Sequence, residues 1–153
     1  MKHLAAIILS VLLAGASTPS ATPEEVVEYA CSFMGTPYKL GAAGPKAFDC
    51  SSYTSYVYRH FGYQLPAYSK TQYHSGKKIE RYADLQKGDL VFFGTKSGAR
   101  TIGHVGIIVE LDRESGSFKF IHASVTKGVT IENSNHPYFQ LRYIGARRLL
   151  PDE

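Results

Sequence analysis

Residues 48–53, Phe-Asp-Cys-Ser-Ser-Tyr, place a cysteine in what the sequence predicts to be the first turn of a helix. Asp49 is a favoured N-cap residue, because its carboxylate accepts backbone N–H groups that the first helical turn leaves unpaired. Aromatic and apolar residues then recur at helical spacing, which predicts a helix from about Cys50 to His60. Gly62 is the expected end of this helix, since glycine readily adopts the left-handed conformation found there.

The elements on either side of this helix predict an α+β fold. The segment Thr22-Pro23-Glu24-Glu25 has the pattern of a capped helix start, and we expect that helix to end at Gly35. A short third helix is expected at about residues 69–74. The remainder reads as strands, at residues 90–93, 104–111, 117–124, 129–131 and 141–150. Helices followed by an antiparallel sheet form an α+β arrangement, here in one domain at residues 24–150.

The first residues predict a secretory signal peptide. A basic start at residues 1–3 precedes an apolar run at 4–13, and small residues follow at 14–16. The apolar run is too short to cross a membrane, and position 16 carries alanine where a lipoprotein would need a cysteine. We expect residues 1–16 to be removed, with cleavage after Ala21 or a retained N-terminal anchor as alternatives. The prediction is an exported protein of the periplasm or cell envelope without a stable membrane anchor.

Charge and composition exclude some classes of partner. The 17 basic and 13 acidic residues give a formal net charge of +4, which suits an anionic partner but is also ordinary for a globular protein. There is no long basic run and no base-stacking motif, so we expect no nucleic-acid partner. No repeat or linker divides the chain, and we expect a monomer.

The two cysteines, Cys31 and Cys50, are too few for a disulfide framework. Cys31 lies in an apolar helical stretch, where we expect it to be a small buried hydrophobic residue. Cys50 is different, because exposed amide groups at a helix start favour the thiolate and the N–H of Cys50 can hold an oxyanion. The negative charge of Asp49 opposes thiolate formation, which favours capping or binding of a cationic substrate group as its role.

Two histidines in the strand region are candidates to activate the thiol. If the hairpin at residues 104–124 turns about Glu114, His104 faces Ser124 and Gly106 faces His122. Both histidines then lie on one face of the sheet, about 7–8 Å apart at the backbone. His104 would be the base for Cys50, and His122 would fix its tautomer, in the chain order of a papain-like thiol hydrolase.

Two other interpretations of these histidines remain open. Each histidine taken alone also fits a structural role, and a register slip of one residue would move His122 to the other face. One cysteine and two histidines are also possible zinc ligands, although neither the Cys-x-x-Cys nor the His-Glu-x-x-His spacing is present. We expect no metal and no cofactor.

Four segments together resemble the NlpC-type family of bacterial cell-wall peptidases. They lie at residues 48–51, 85–93, 103–107 and 120–124, and the resemblance extends over about residues 24–150. It implies a papain-like fold, with N-terminal helices packed on a central antiparallel sheet. Members of this family are typically DL-endopeptidases, thiol proteases that cut the stem peptides of peptidoglycan between D-glutamate and the following diamino acid.

The resemblance also implies roles for six residues of this chain. They are Cys50 as nucleophile, His104 as base, His122 as third catalytic residue, Tyr38 as a partner of the oxyanion, and Asp49 and Ser51 in the substrate groove.

Three positions depart from the family pattern, in which Ala42 and Ser52 are glycine and Ala67 is arginine. Ser52 is tolerated if its backbone is ordinary helix, and the missing arginine affects substrate affinity or preference more than catalysis. Two alternatives therefore stay open beside the peptidase: a wall-binding protein with impaired catalysis, and an acyltransferase or amidase on the same fold.

Overall fold

The computed structural model describes residues 20–152, so the predicted signal peptide at 1–16 lies outside the described residues. The α-helices of this part are α1 (Pro23–Cys31), α2 (Cys50–His60), α3 (Ser69–Gln72) and α4 (Pro137–Gln140), and a short 3-10 helix lies at Tyr82–Asp84. The strands are β1 (Lys77–Ile79), β2 (Leu90–Gly94), β3 (Ile102–Asp112), β4 (Ser117–Ser124), β5 (Gly128–Asn133) and β6 (Tyr143–Arg148). Among residues 20–152, no helix combines the length and the apolar character needed to cross a bilayer.

The strands form one sheet in the order β1-β6-β2-β3-β4-β5, and each pairing is antiparallel. Side chains of successive strand residues point to opposite faces, so both faces of the central strands are buried. Helices α1 and α2 pack with Val105, Ile107 and Ile121 on one face. On the other face Ile108 and Phe120 belong to a second apolar cluster. The predicted α+β class, with helices on a central antiparallel sheet, is confirmed.

Helix α1 begins as the sequence predicts and ends earlier. The Thr22 hydroxyl accepts the Glu25 N–H at 3.2 Å, and the Glu25 carboxylate accepts the Thr22 N–H at 2.8 Å. The regular helix stops at Cys31, because the N–H groups of Phe33 and Met34 bond three residues back rather than four. Gly35, the predicted end, instead closes the turn that follows, with a φ of +85°.

Two strand predictions need correction. The last strand is shorter than the predicted 141–150, because residues 137–140 form α4 and Leu141 caps it. Strand β1 is not predicted by the sequence, since Lys77 and Lys78 are exposed and only Ile79 is buried. This edge strand forms by pairing with β6, which lies about seventy residues later in the chain.

The β3–β4 hairpin has the predicted register at its histidine end. Ile107 pairs with Ile121, so extending the pairing by one residue places Gly106 opposite His122. Between Ile108 and Glu110 the register shifts at an irregularity, which takes up one residue towards the turn. Both histidines therefore lie on the same face of the sheet.

Candidate active site

Asp49 fixes the start of α2 and thereby the position of the cysteine. One oxygen of its carboxylate accepts the Ser52 N–H at 2.8 Å, and the other accepts the Gly41 N–H at 3.0 Å. The predicted N-cap is confirmed. Because the second bond reaches the glycine-rich loop before the helix, Asp49 also ties that loop to Cys50, the first helical residue.

The thiol of Cys50 is half-buried and lies against β3. It receives hydrogen bonds from the backbone N–H groups of Val105, Ser51 and Cys50 itself, and these bonds lower its pKa. Burial and then the charge of Asp49 act in the opposite direction and prevail, so the pKa of the Cys50 thiol is raised. The amide groups at the helix start therefore favour the thiolate and Asp49 opposes it, as the sequence predicts, but burial outweighs the amide groups. The sulfur therefore contacts the backbone of Val105, the residue that follows His104 in β3.

The two histidines meet, as the hairpin register predicts. His104 Nε2 lies 2.5 Å from His122 Nδ1, and the ring planes are nearly perpendicular, at 85°. Their face of the sheet is aromatic, since His122 also packs against Phe120 and Phe139. Burial, and then the neighbouring His122, lowers the pKa of His104 to about 3. Burial also lowers the pKa of His122, so both rings are neutral at pH 7.

We expect alkylation of Cys50 by iodoacetamide to accelerate throughout the range from pH 5 to pH 8. The raised thiol pKa lies above the ordinary value of about 8.5, and below the pKa the thiolate fraction rises about tenfold per pH unit. Intact mass against time measures the rate, and Cys50→Ala supplies the background from Cys31. A rate already constant between pH 5 and pH 7 would contradict this prediction, because it would indicate a thiolate–imidazolium pair.

Gly106 is closely surrounded by residues of the neighbouring strand β4. A Cβ at this position would lie 2.8 Å from Phe120 Cδ2, 3.0 Å from the Ile121 carbonyl oxygen and 3.3 Å from His122 Cβ. No imidazole ring atom is among these neighbours, so the idea that Gly106 leaves room between the two rings stays a prediction.

Replacing Gly106 by alanine is expected to lower the free energy of unfolding by about 1–3 kcal/mol, the usual cost of overpacking. The φ of Gly106 is not positive, so this cost comes from the crowded neighbours and not from backbone strain. Urea denaturation of the wild type and the variant gives this free energy. Unchanged stability would contradict the crowding around Gly106.

Tyr38 lies in the loop before α2 and is within electrostatic range of Cys50 and Asp49. Burial raises the pKa of its phenol, and the charges of Cys50 and Asp49 raise it further. Its backbone is held by a bridge to Phe48, two residues before the cysteine. The role of Tyr38 at an oxyanion stays a prediction.

Ser51 has an internal partner. Its side chain is only 7% exposed, and its hydroxyl donates to the Ala67 carbonyl at 3.2 Å. Ser52, the departure from the family glycine, has ordinary helical backbone inside α2 and is also buried. Substrate contacts of Ser51 and Asp49 therefore stay predictions, and Ser52 leaves the helix start intact.

Glu132 is a residue of the site that the sequence does not predict. Its carboxylate lies 2.7 Å from His122 Nε2, and its second oxygen lies 2.7 Å from the Lys127 ammonium. Its contact with His122 can be inferred only when the register of β4 and β5 is known. His122 faces Thr130 and Phe120 faces Glu132, so Glu132 is a diagonal neighbour of His122 on the same face.

Both cysteines are free, and Cys31, predicted to be a small buried hydrophobic residue, is half-buried and packs against the main apolar core. His104, His122 and Glu132 line a cavity of about 590 Å³ together with residues of the β4–β5 turn and α4. Within residues 20–152, no three His, Cys, Asp or Glu side chains are grouped so as to hold a metal ion.

The sequence model of the NlpC/P60 family matches residues 35–148. This chain belongs to the NlpC/P60 family. Probable endopeptidase NlpC of Escherichia coli K12 is 33% identical over 162 residues, which cover 97% of this chain and 100% of that protein. The family membership predicted from the sequence is confirmed.

Two further NlpC/P60 relatives are longer than this chain. Murein DD-endopeptidase MepS/Murein LD-carboxypeptidase of E. coli K12 is 36% identical over 126 residues, 82% of this chain and 62% of that protein. A crystal structure of a Bacillus cereus NlpC/P60 family protein matches with a TM-score of 0.78 at 30% identity, over 87% of this chain and 42% of that one. The chain thus spans less than two thirds of either protein. The structural match confirms the fold that the resemblance implied.

Proposed function

We propose that this protein is an exported cysteine peptidase that hydrolyses the stem peptides of peptidoglycan in the periplasm or cell envelope. The observation that carries the proposal is a pair of contacts between residues distant in sequence. The thiol of Cys50 receives the N–H of Val105, and the adjacent His104 contacts His122 at 2.5 Å. A thiol at a helix start beside a histidine that a third residue orients is the arrangement of a thiol hydrolase.

The proposed reaction begins with a neutral pair, since burial raises the pKa of Cys50 and lowers that of His104. His104 takes the thiol proton as the sulfur attacks the substrate carbonyl. The backbone N–H of Cys50 and the Tyr38 hydroxyl stabilise the oxyanion. His104 then gives the proton to the leaving amine, and water hydrolyses the thioester.

Relatives support peptidoglycan as the substrate and suggest two candidate bonds. A relative in Bacillus cereus, 31% identical over 134 residues, is named gamma-D-glutamyl-L-lysine dipeptidyl-peptidase. Its name favours the bond between D-glutamate and the diamino acid, which we propose for this chain. The 36% identity to a murein DD-endopeptidase favours the D,D bond of a cross-link as the second candidate.

Digestion of purified peptidoglycan followed by mass spectrometry tests the proposal and separates the two bonds. Cleavage at the proposed bond gives a free γ-carboxyl on D-glutamate and a free amine on the diamino acid. Cleavage at the second bond instead splits cross-linked dimers into monomers. Binding without new fragments would identify the impaired wall-binding alternative, and an acceptor amine incorporated in the product would identify an acyltransferase.

A further inference from the structure

The third catalytic candidate, His122, is itself held by a carboxylate. Its side chain is 3% exposed, with Nδ1 at 2.5 Å from His104 Nε2 and Nε2 at 2.7 Å from the Glu132 carboxylate. The second Glu132 oxygen accepts from the Lys127 ammonium at 2.7 Å. Both ring nitrogens of His122 are therefore occupied by neighbours, in a continuous series from Lys127 to His104.

We infer that Glu132 is a positioning residue that sets the tautomers of both histidines, leaving the Nδ1 lone pair of His104 free to take the thiol proton. An ionised carboxylate only accepts hydrogen bonds, so His122 must carry its proton on Nε2. Neutral His122 then has a bare Nδ1, which accepts from His104 Nε2–H. Neutral His104 consequently has a bare Nδ1, the nitrogen available as a base.

The opposite tautomers would disable the base. If His122 carried its proton on Nδ1, His104 Nε2 would have to accept, and the proton of His104 would sit on Nδ1. That nitrogen would then be a donor, unable to take the proton of Cys50. One carboxylate thus determines the protonation of a ring that it does not touch.

Glu132 is suited to this role because it stays ionised. Burial acts to raise its pKa, but Lys127 and His122 outweigh that effect and hold the pKa of Glu132 below its usual range. Lys127 is 61% exposed, whereas Glu132 is 19% exposed. The lysine therefore restrains the carboxylate from the solvent side, and its position on the β4–β5 turn keeps it out of the contact between the rings.

Nitrogen-15 NMR of the histidines tests the tautomers without any substrate. In the wild-type protein at pH 7 we expect His122 and His104 both to be protonated on Nε2. In Glu132→Gln, Lys127 favours the amide oxygen, so the amide NH₂ faces His122 and donates to Nε2. Both rings are then expected to shift to the Nδ1–H tautomer, and kcat to fall at least about tenfold with KM unchanged.

Two further variants provide the rescue and the control. In Glu132→Gln/Lys127→Met no ammonium group attracts the amide oxygen, so this oxygen is free to face His122 and accept from Nε2–H. The Nε2–H tautomers and part of kcat should therefore return. Glu110→Gln alters a similar carboxylate–lysine pair, with Lys119 at 3.4 Å on the adjoining strand, and should change neither measurement.

An Nδ1–H tautomer on either ring of the wild-type protein would overturn the inference, even if no variant folds. Unchanged tautomers in Glu132→Gln would overturn it as well. The effect on kcat rests on the proposed function, whereas the tautomers do not. A protein that has the expected tautomers but leaves peptidoglycan uncut would therefore refute the proposed function alone.

Discussion

Replacing His104 by alanine is expected to lower kcat/KM for peptidoglycan fragments by about 10²–10⁴-fold, the usual contribution of a general base. The loss is expected because the Cys50 thiol is mostly protonated at neutral pH. Burial and the Asp49 charge raise the pKa of Cys50, so little thiolate exists at pH 7 unless a base takes the proton. Chromatography of the released fragments under single-turnover conditions measures the loss.

The residual activity of His104→Ala should increase with pH, because hydroxide replaces the missing base. His60→Ala is the matched control, since His60 lies at the other end of α2, exposed and stacked on Tyr29 at 3.8 Å. It should retain wild-type activity. A loss below tenfold in His104→Ala, with its fold intact, would show that His104 is not the base.

Replacing Asp89 by alanine is expected to lower the free energy of unfolding by about 3–5 kcal/mol. Asp89 and Arg148 are 1% and 6% exposed, and they form two parallel hydrogen bonds of 2.8 and 2.9 Å. Without Asp89 the guanidinium keeps only the Asp84 carbonyl and the exposed Asp152 as partners. A largely uncompensated charge would then be buried between β2 and β6, which the pair normally joins. Urea denaturation monitored by circular dichroism measures the change.

Asp152→Ala is the control for this pair. Asp152 also bonds Arg148, at 3.0 Å, but it is 54% exposed, and exposed ion pairs contribute little to stability. Its denaturation midpoint should remain close to that of the wild type. If Asp89→Ala were as stable as Asp152→Ala, the buried pair would not contribute to stability as we expect.

The sequence predicts those features whose cause is local. Thr22 and Glu25 lie three residues apart and cap α1 through their own side chains. Asp49 caps α2 for the same reason. The facing of His104 and His122 also follows from short-range information, because a hairpin with a recognisable turn fixes which residues share a face.

Features that depend on distant packing could not be predicted in this way. The pKa of Cys50 is set by burial against β3, more than fifty residues along the chain, and this reverses the effect expected from the helix start. The contact of Glu132 with His122 depends on the β4–β5 register, which no sequence motif predicts. Asp89 and Arg148 are separated by 59 positions and meet only in the completed sheet.

Cleavage of peptidoglycan by the wild type, Cys50→Ala and Cys31→Ala in parallel tests the central claim most directly. The chain contains these two cysteines, and both are free and half-buried, so Cys31→Ala controls for the loss of a thiol as such. We predict that wild type and Cys31→Ala release the same fragments at similar rates, while Cys50→Ala releases none. Fragments released by folded Cys50→Ala at the wild-type rate would contradict the account.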